Sequence, residues 1–203
     1  MYRLERKFLF NNKFESNIAL TYLLKNYSFR KSFKPRDVYS IYLDTKNLDF
    51  LYDNIIGLSN RKKIRYRFYS TIPNELIYEE KIKKNSFGKK IKKVYRNPEK
   101  LDIFKAKKII KEIESEKKDI LYQQISVNYK REYFIDIFKN SLTIDSDINF
   151  FDKRNYIYER SLIEYKINLD NYKNNYFHKI NFPFSRHSKY VAGMAMINKT
   201  IYV

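Results

Sequence analysis

The sequence predicts an α+β fold, mainly antiparallel, in which eight strands close into a barrel with flanking helices. Three observations carry that prediction. Apolar and charged residues alternate with a period of two in segment after segment. Only three glycines and four prolines interrupt 203 residues. A few stretches show a helical period instead.

The first alternating segment is 2–10, where Arg3, Glu5 and Lys7 share one face and Leu4, Phe8 and Phe10 the other. Residues 38–44 read as a second strand, followed by Leu48, Leu51, Tyr52 and Ile55 at helical spacing up to Gly57, a C-terminal stop. In 61–70, Lys63, Arg65 and Arg67 oppose Ile64, Tyr66 and Phe68. A hairpin follows, 76–84 returning through 89–96 with the turn between Asn85 and Gly88. Strands at 125–135, 140–150 and 160–168 bring the number to eight, enough for a barrel that accepts one elongated ligand. Helices are expected at 12–26, where Asn12 and Glu15 have capping-box spacing, at about 99–118, and at 187–198. With no linker or repeat to divide the chain, one domain over 1–203 is expected.

Composition narrows the chemistry. Forty-three per cent of the residues are apolar, sufficient for a real core, and 42 Lys and Arg against 23 acidic residues give a formal charge of +19. The partner is therefore expected to be anionic. The absence of cysteine excludes disulfides, thiolate nucleophiles and Cys-ligated zinc, and two histidines, His178 and His187, are too few for a His-rich metal site. Any metal is expected to be a hard cation on carboxylate and phosphate oxygens. The charged opening Arg3-Leu4-Glu5-Arg6-Lys7 does not read as a signal peptide, and no run reaches the roughly 18 apolar residues of a spanning helix. A cytoplasmic location is expected.

The informative pattern is cationic. Arg3-Glu5-Lys7, Lys63-Arg65-Arg67, Glu79-Lys81-Lys83 and Glu164-Lys166 each place charges two residues apart, opposite an apolar face. A solvated outer face accounts for one such strand, but four together, three of them with an acid-x-base pair, point to a shared interior. Cations about 7 Å apart there repel by roughly 2 kcal/mol per pair at an effective dielectric of 20, so the interior needs an anion. A triphosphate or polyphosphate supplies charges in a linear array for Arg forks and movable Lys ammonium groups. Glu5, Glu79 and Glu164 either neutralise neighbouring cations or hold Mg²⁺ or Mn²⁺ that bridges to phosphate. Most tyrosines fall on apolar parity, so core packing explains them and no nucleic-acid partner is expected. Asp44 reads as a helix cap, Lys166 as a salt-bridge partner of Glu164, and His187 as a helix-start residue rather than a base.

Several blocks follow one another in a recognisable order. They are Arg3-Leu4-Glu5-Arg6-Lys7-Phe8, Ser40-Ile41-Tyr42-Leu43-Asp44-Thr45, Arg61-Lys62-Lys63-Ile64-Arg65-Tyr66-Arg67-Phe68-Tyr69 and Glu79-Glu80-Lys81-Ile82-Lys83. Tyr129-Lys130-Arg131, Leu142-Thr143-Ile144-Asp145, Ile163-Glu164-Tyr165-Lys166 and Ser188-Lys189-Tyr190 continue the succession. Together they resemble the VTC (vacuolar transporter chaperone) polyphosphate polymerase domain over nearly the whole chain.

The resemblance implies a triphosphate tunnel related to the CYTH enzymes, acting on triphosphate compounds with Mn²⁺ or Mg²⁺. In the polymerase branch a nucleoside triphosphate such as ATP donates its γ-phosphate to a growing polyphosphate. Lys7, Arg65, Arg67, Lys81, Arg131 and Lys189 match the phosphate-binding catalytic cations, and Glu164 the metal carboxylate, with Glu5 a second metal candidate. Lys89 or Lys90 is a looser match, with Lys90 taken as the substrate-binding candidate. Arg3, Lys63, Lys83 and Ser188 join it as substrate-binding candidates. One departure is Ser141, where the family carries Arg, with Lys139 the expected substitute from a shifted register. That loss favours the alternatives, a CYTH-type inorganic or nucleoside triphosphatase or a non-catalytic polyphosphate or nucleotide sensor. Arg3 favours the polymerase, because the hydrolase branch usually has Glu there. Coupling synthesis to transport across a membrane calls for a further, unidentified protein partner.

Overall fold

A computed structural model describes residues 3–84, 87–168, 173–176 and 178–198. Its elements are β1 (Arg3–Phe10), α1 (Lys13–Asn26), β2 (Arg30–Asp44), α2 (Asp49–Ile55), β3 (Asn60–Tyr69), β4 (Ile72–Lys84), β5 (Phe87–Arg96), α3 (Ile103–Ser115), β6 (Tyr122–Ile135), β7 (Ser141–Phe151), β8 (Asn155–Tyr158), β9 (Ser161–Asn168) and α4 (Lys189–Ile197). The fold is α+β and dominated by antiparallel strands, as the alternation predicts. The hydrogen-bonded order is β1-β9-β7-β6-β2-β3-β4-β5, with β8 on β7. This path begins at β1 and stops at β5, so among the described residues hydrogen bonds do not close the expected eight-stranded barrel.

The chain forms two compact units. The first comprises 1–36, 129–149 and 157–187, and the second 37–128, 150–156 and 188–203.

In the first unit β1 and β7 flank β9 antiparallel, with Phe8 and Ile144 both opposite Ile163. Phe8, Leu142, Ile144, Ile163, Tyr165 and Ile167 point to one side and pack with Leu23 of α1 and Phe134 of β6. The alternation that buries these residues sends Glu5, Lys7, Arg131, Glu164 and Lys166 to the opposite face. At the head of α1 the Asn12 side chain accepts from the Glu15 amide at 2.8 Å, while the Glu15 carboxylate accepts from the Asn11 amide at 3.0 Å. The expected capping pair is present, with its return bond displaced by one residue.

In the second unit β3 lies between β2 and β4, and β5 follows β4. Ile41, Leu43, Ile64, Tyr66, Phe68 and Leu76 bury one face against Ala106 and Ile110 of α3. Asp44 closes β2 and is fully buried. Its carboxylate accepts from the amides of Phe50 and Leu51 at 2.9 Å each, capping α2 as expected, and from the Tyr190 hydroxyl at 2.6 Å. Gly57, at φ +73°, stops that helix region. The turn residues Asn85 and Ser86 of the β4–β5 hairpin lie outside the described residues.

Two strands differ from the sequence expectation. β2 starts at Arg30, eight residues early, through Pro35 and a string of charges with no apolar alternation. β8 is only four residues long. The expected helix over 99–118 shortens to Ile103–Ser115 because Asp102 caps it, accepting from the amides of Phe104 and Lys105 at 2.8 Å each. Among the described residues no helix is long and apolar enough to cross a membrane.

α4 approaches its neighbours closely at Gly193, where a Cβ would stand 2.5 Å from Ile125 Cδ1 and 2.6 Å from Phe150 Cδ1. Gly193→Ala is therefore expected to cost about 1–3 kcal/mol through overpacking, despite alanine's better helix propensity. Chemical denaturation that finds the variant as stable as the parent would contradict this packing.

Candidate functional site

The second unit concentrates its cations on the face of β3, β4 and β5 opposite the core. Antiparallel register sets Lys63 opposite Lys81 and Lys81 opposite Lys90, a row of three ammonium-bearing residues on adjacent strands. Arg61 faces Lys83 one row away, and on the other side Arg65 faces Glu79, which faces Lys92. Arg67 completes the face opposite Ile77. Like charges directly opposite are destabilising, so such a row is unusual in a sheet that has nothing to bind. Across these rows eight cations meet one carboxylate, Glu79. Rows recur every two residues, about 7 Å, so the array runs for about 20 Å along the strands.

Glu79 is 2% exposed. Arg65 donates to its Oε2 from Nε at 2.8 Å and approaches the same oxygen with Nη2 at 2.7 Å, Arg67 lies 3.6 Å from that oxygen, and Lys90 pairs with Oε1. Burial by itself would raise the carboxyl pKa, but Arg65, Arg67 and Lys90 hold it far below the usual range. The Lys90 pKa falls as well, but by a different cause. Desolvation draws its ammonium down to about 7, against the pull of Glu79.

Other groups fix the arginines. Arg67 donates from Nε to Ser40 Oγ at 3.1 Å, and Arg65 donates from Nη1 to the Tyr42 hydroxyl at 3.0 Å. The Tyr42 ring stacks on Tyr190 at 5.1 Å, which is in turn tied to Asp44. Burial would raise the Tyr42 phenol, but Arg65, Arg67 and Lys189 lower it overall. Lys63 donates to Ser188 Oγ at 2.7 Å, and Ser188 is the N-cap of α4, with Lys189 the first helical residue and 7% exposed. Lys63, Arg65, Arg67, Lys81, Lys83, Lys90, Ser188 and Lys189 therefore all belong to this unit.

The first unit holds a different arrangement. Glu164 is 7% exposed, with Lys166 Nζ at 2.5 Å, Lys7 Nζ at 3.5 Å and Arg131 Nη2 at 3.6 Å from its carboxylate. Arg131 forks onto the buried Asp145, donating from Nε at 2.5 Å and Nη2 at 2.6 Å. Burial opposes the guanidinium charge, and Asp145 more than restores it. Lys7 also donates to the His187 carbonyl at 2.9 Å, and Lys166 stands 3.7 Å from Glu5. Lys7, Arg131 and Lys166 are thus matched by Glu5, Asp145 and Glu164, and this set is close to neutral. Arg3 sits in β1 opposite Asn168, with its side chain outside the described part of the structure.

Among the described residues no three carboxylates or imidazoles gather into a metal cage. Glu164 still fits a hard cation as a single carboxylate ligand whose remaining positions are filled by phosphate oxygens and water. Thr143 lies directly opposite it, with a buried Oγ1 that has no hydrogen-bond partner among the described residues. Glu5, held by Lys166, is the more distant second candidate.

Sequence reasoning missed Asp145, Tyr42 and Ser40. The period-two rule that selected Arg65 places Tyr42 and Ser40 on one face with Asp44, and Asp145 on one face with Thr143, so parity alone held the signal. Lys139 does not replace the missing arginine. It is exposed at φ +63° in the turn closed by Asp136 and Asn140, while Ser141 lies opposite Lys166.

A family model described as the VTC domain matches residues 3–198. Among solved structures, a protein from Pyrococcus horikoshii OT3 is similar at TM-score 0.55 and 14% identity, covering 98% of this chain and 99% of that one. A putative adenylate cyclase from Vibrio parahaemolyticus gives 0.55 and 12%, over 96% and 98%. A putative adenylyl cyclase from Hippeastrum, described as having a dominant triphosphatase activity, gives 0.50 and 12%, over 97% and 96%. These likenesses are of fold. No curated protein matches the chain.

Removing the shared counter-charge should cost stability. Glu79→Gln is expected to lose about 3–5 kcal/mol, because it leaves Arg65 and Arg67 without their shared carboxylate. Added tripolyphosphate should recover part of that loss, and a denaturation midpoint unchanged by the substitution would refute the role. Lys90 supplies a pH dependence. It is charged below about pH 7 and loses its proton above, so anion affinity should fall between pH 7 and 9, and Lys90→Arg should remove the fall. Parallel calorimetric titrations of parent and variant test this directly.

Proposed function

The chain belongs to the VTC domain family, and from that premise we propose that residues 1–203 act as one metal-dependent, polyphosphate polymerase-like phosphotransferase. The substrates are a nucleoside triphosphate such as ATP, triphosphate or polyphosphate. One observation carries the reading, the register-matched row Lys63–Lys81–Lys90 within a face of eight cations and one carboxylate. An array about 20 Å long suits a linear chain of phosphates better than a single compact anion.

In this reading Arg65 and Arg67 hold phosphate oxygens with forks preset by Glu79, Tyr42 and Ser40, while Lys63, Lys81, Lys83, Lys90 and Lys189 act as point charges. Lys7, Arg131 and Glu164 take a metal-associated phosphate. Mn²⁺ or Mg²⁺, when bound, supplies Lewis-acid stabilisation of phosphoryl charge, with Glu164, assisted by Glu5, as the protein ligand. Closure into a tunnel, which the strand path does not supply, is part of the proposal, as are a cytoplasmic location and the absence of a nucleic-acid partner. A CYTH-type triphosphatase is the second reading. It is favoured by Ser141, whose opposite neighbour Lys166 is already engaged by Glu164 and Glu5.

Incubation with ATP and Mn²⁺, followed by separation of polyphosphate from free phosphate, tests the choice. Chain products support the polymerase, ADP and free phosphate alone support the hydrolase, and binding without turnover leaves a sensor. Arg65→Ala and Arg67→Ala are each expected to lower kcat/KM about 10²–10³-fold. Glu164→Gln should abolish divalent-dependent turnover and leave tripolyphosphate binding measurable. Turnover equal to the parent in any of these variants would refute the corresponding role.

A further inference from the structure

β2 enters the first unit as Arg30-Lys31-Ser32-Phe33-Lys34-Pro35-Arg36, four cations in seven residues around one aromatic ring. Phe33 is 61% exposed. It is nevertheless held in place. Tyr133 of β6 meets it edge-to-face, with centroids 5.9 Å apart at 84°, and the Arg36 guanidinium carbon lies 5.5 Å from the centroids of both rings. An aromatic ring that is fixed by two partners and still mostly open to solvent presents a pre-formed surface on which a planar base can stack.

The position of this cluster links it to phosphate. Phe134 is buried in the core, so strand alternation puts Arg131 and Tyr133 together on the opposite face of β6, about 7 Å apart. Asp145 engages Arg131 through Nε and Nη2, and among the described residues Nη1 has no hydrogen-bond partner. A ligand whose phosphate meets Nη1 would carry its base toward Tyr133 and Phe33. An arginine–aromatic contact that merely pins the start of β2 explains the cation–π geometry, but it explains neither the exposure of Phe33 nor the surrounding cations.

We propose that Phe33, Arg36 and Tyr133 form a stacking clamp for the nucleobase of a nucleoside triphosphate whose phosphates are bound beside Arg131. This rests on the phosphate-binding reading above and adds to it a preference for nucleotide over inorganic triphosphate. Stacking on a ring face is indifferent to the edge of the base, so ATP and GTP should bind alike.

Calorimetric titration of parent, Phe33→Ala and Phe33→Leu with ATP and with inorganic tripolyphosphate tests the clamp. Phe33→Ala and Phe33→Leu are expected to weaken ATP about tenfold, with tripolyphosphate affinity within twofold of the parent. The ring is exposed, so ligand-free melting temperatures should not move. The clamp is overturned if ATP affinity is unchanged, if both anions weaken equally, or if the parent binds tripolyphosphate and not ATP. It is also overturned if the substitutions weaken single-stranded RNA and leave ATP intact. A parent that binds neither anion overturns the phosphate reading and the clamp with it.

Discussion

Glu79 is a single buried carboxylate that Arg65, Arg67 and Lys90 all approach, and the β3–β5 face depends on it. At an effective dielectric of 20, a unit charge pair at 4 Å is worth about 4 kcal/mol, so one carboxylate offsets a large part of the repulsion among its three partners. Beyond it, Lys63 stands opposite Lys81 and Lys81 opposite Lys90, so like charges meet directly across adjacent strands. The fold therefore tolerates a face that is organised around Glu79 and sets like charges opposite one another beyond it, the arrangement on which the proposed anion binding rests.

The two units handle charge differently, and the difference bears on the proposed chemistry. In the first, Lys7, Arg131 and Lys166 are matched by Glu5, Asp145 and Glu164, a set that holds its own geometry without an anion. In the second, cations outnumber carboxylates eight to one on the described rows. A balanced set surrounding one nearly buried glutamate suits a metal-bridged phosphate, because replacing Lys166 by a divalent ion keeps Glu164 neutralised. An unbalanced row suits the non-bridging oxygens of a chain. Neither assignment needs a His or Cys ligand, consistent with a chain that has two histidines and no cysteine.

Much of this was legible because strands report their faces through parity. Lys63, Arg65 and Arg67, or Glu164 and Lys166, could be placed on one face from spacing alone. Register could not be read this way. Nothing in the separate strings 61–70, 76–84 and 89–96 says that Lys63, Lys81 and Lys90 align, since a slip of two residues preserves parity and changes every cross-strand pair. The early start of β2 was hidden because Pro35 and four cations erase the alternation that marks a half-buried strand. Barrel closure was inferred from strand number, but number does not decide which edges exchange hydrogen bonds.

Ser141 shows why a missing residue is read better in three dimensions than along the chain. In sequence, the nearest cation is Lys139, two residues away, which suggests a shifted register. The turn forbids it, because Asp136 accepts from the amides of Phe138 and Asn140 at 2.9 and 2.8 Å and fixes β7 to begin after them. Across the strand, however, β9 brings Lys166 directly opposite Ser141, with Glu164 one row on, facing Thr143. A cation is thus present beside Ser141, but on the neighbouring strand and bound to carboxylates. Whether its charge reaches a phosphate depends on what else neutralises Glu164, so a metal ion at that glutamate would release Lys166 toward the anion. In the proposed function, a metal at Glu164 and the cation beside Ser141 would in this way be coupled through one carboxylate, because Lys166 is held by the same Glu164 that the metal would engage.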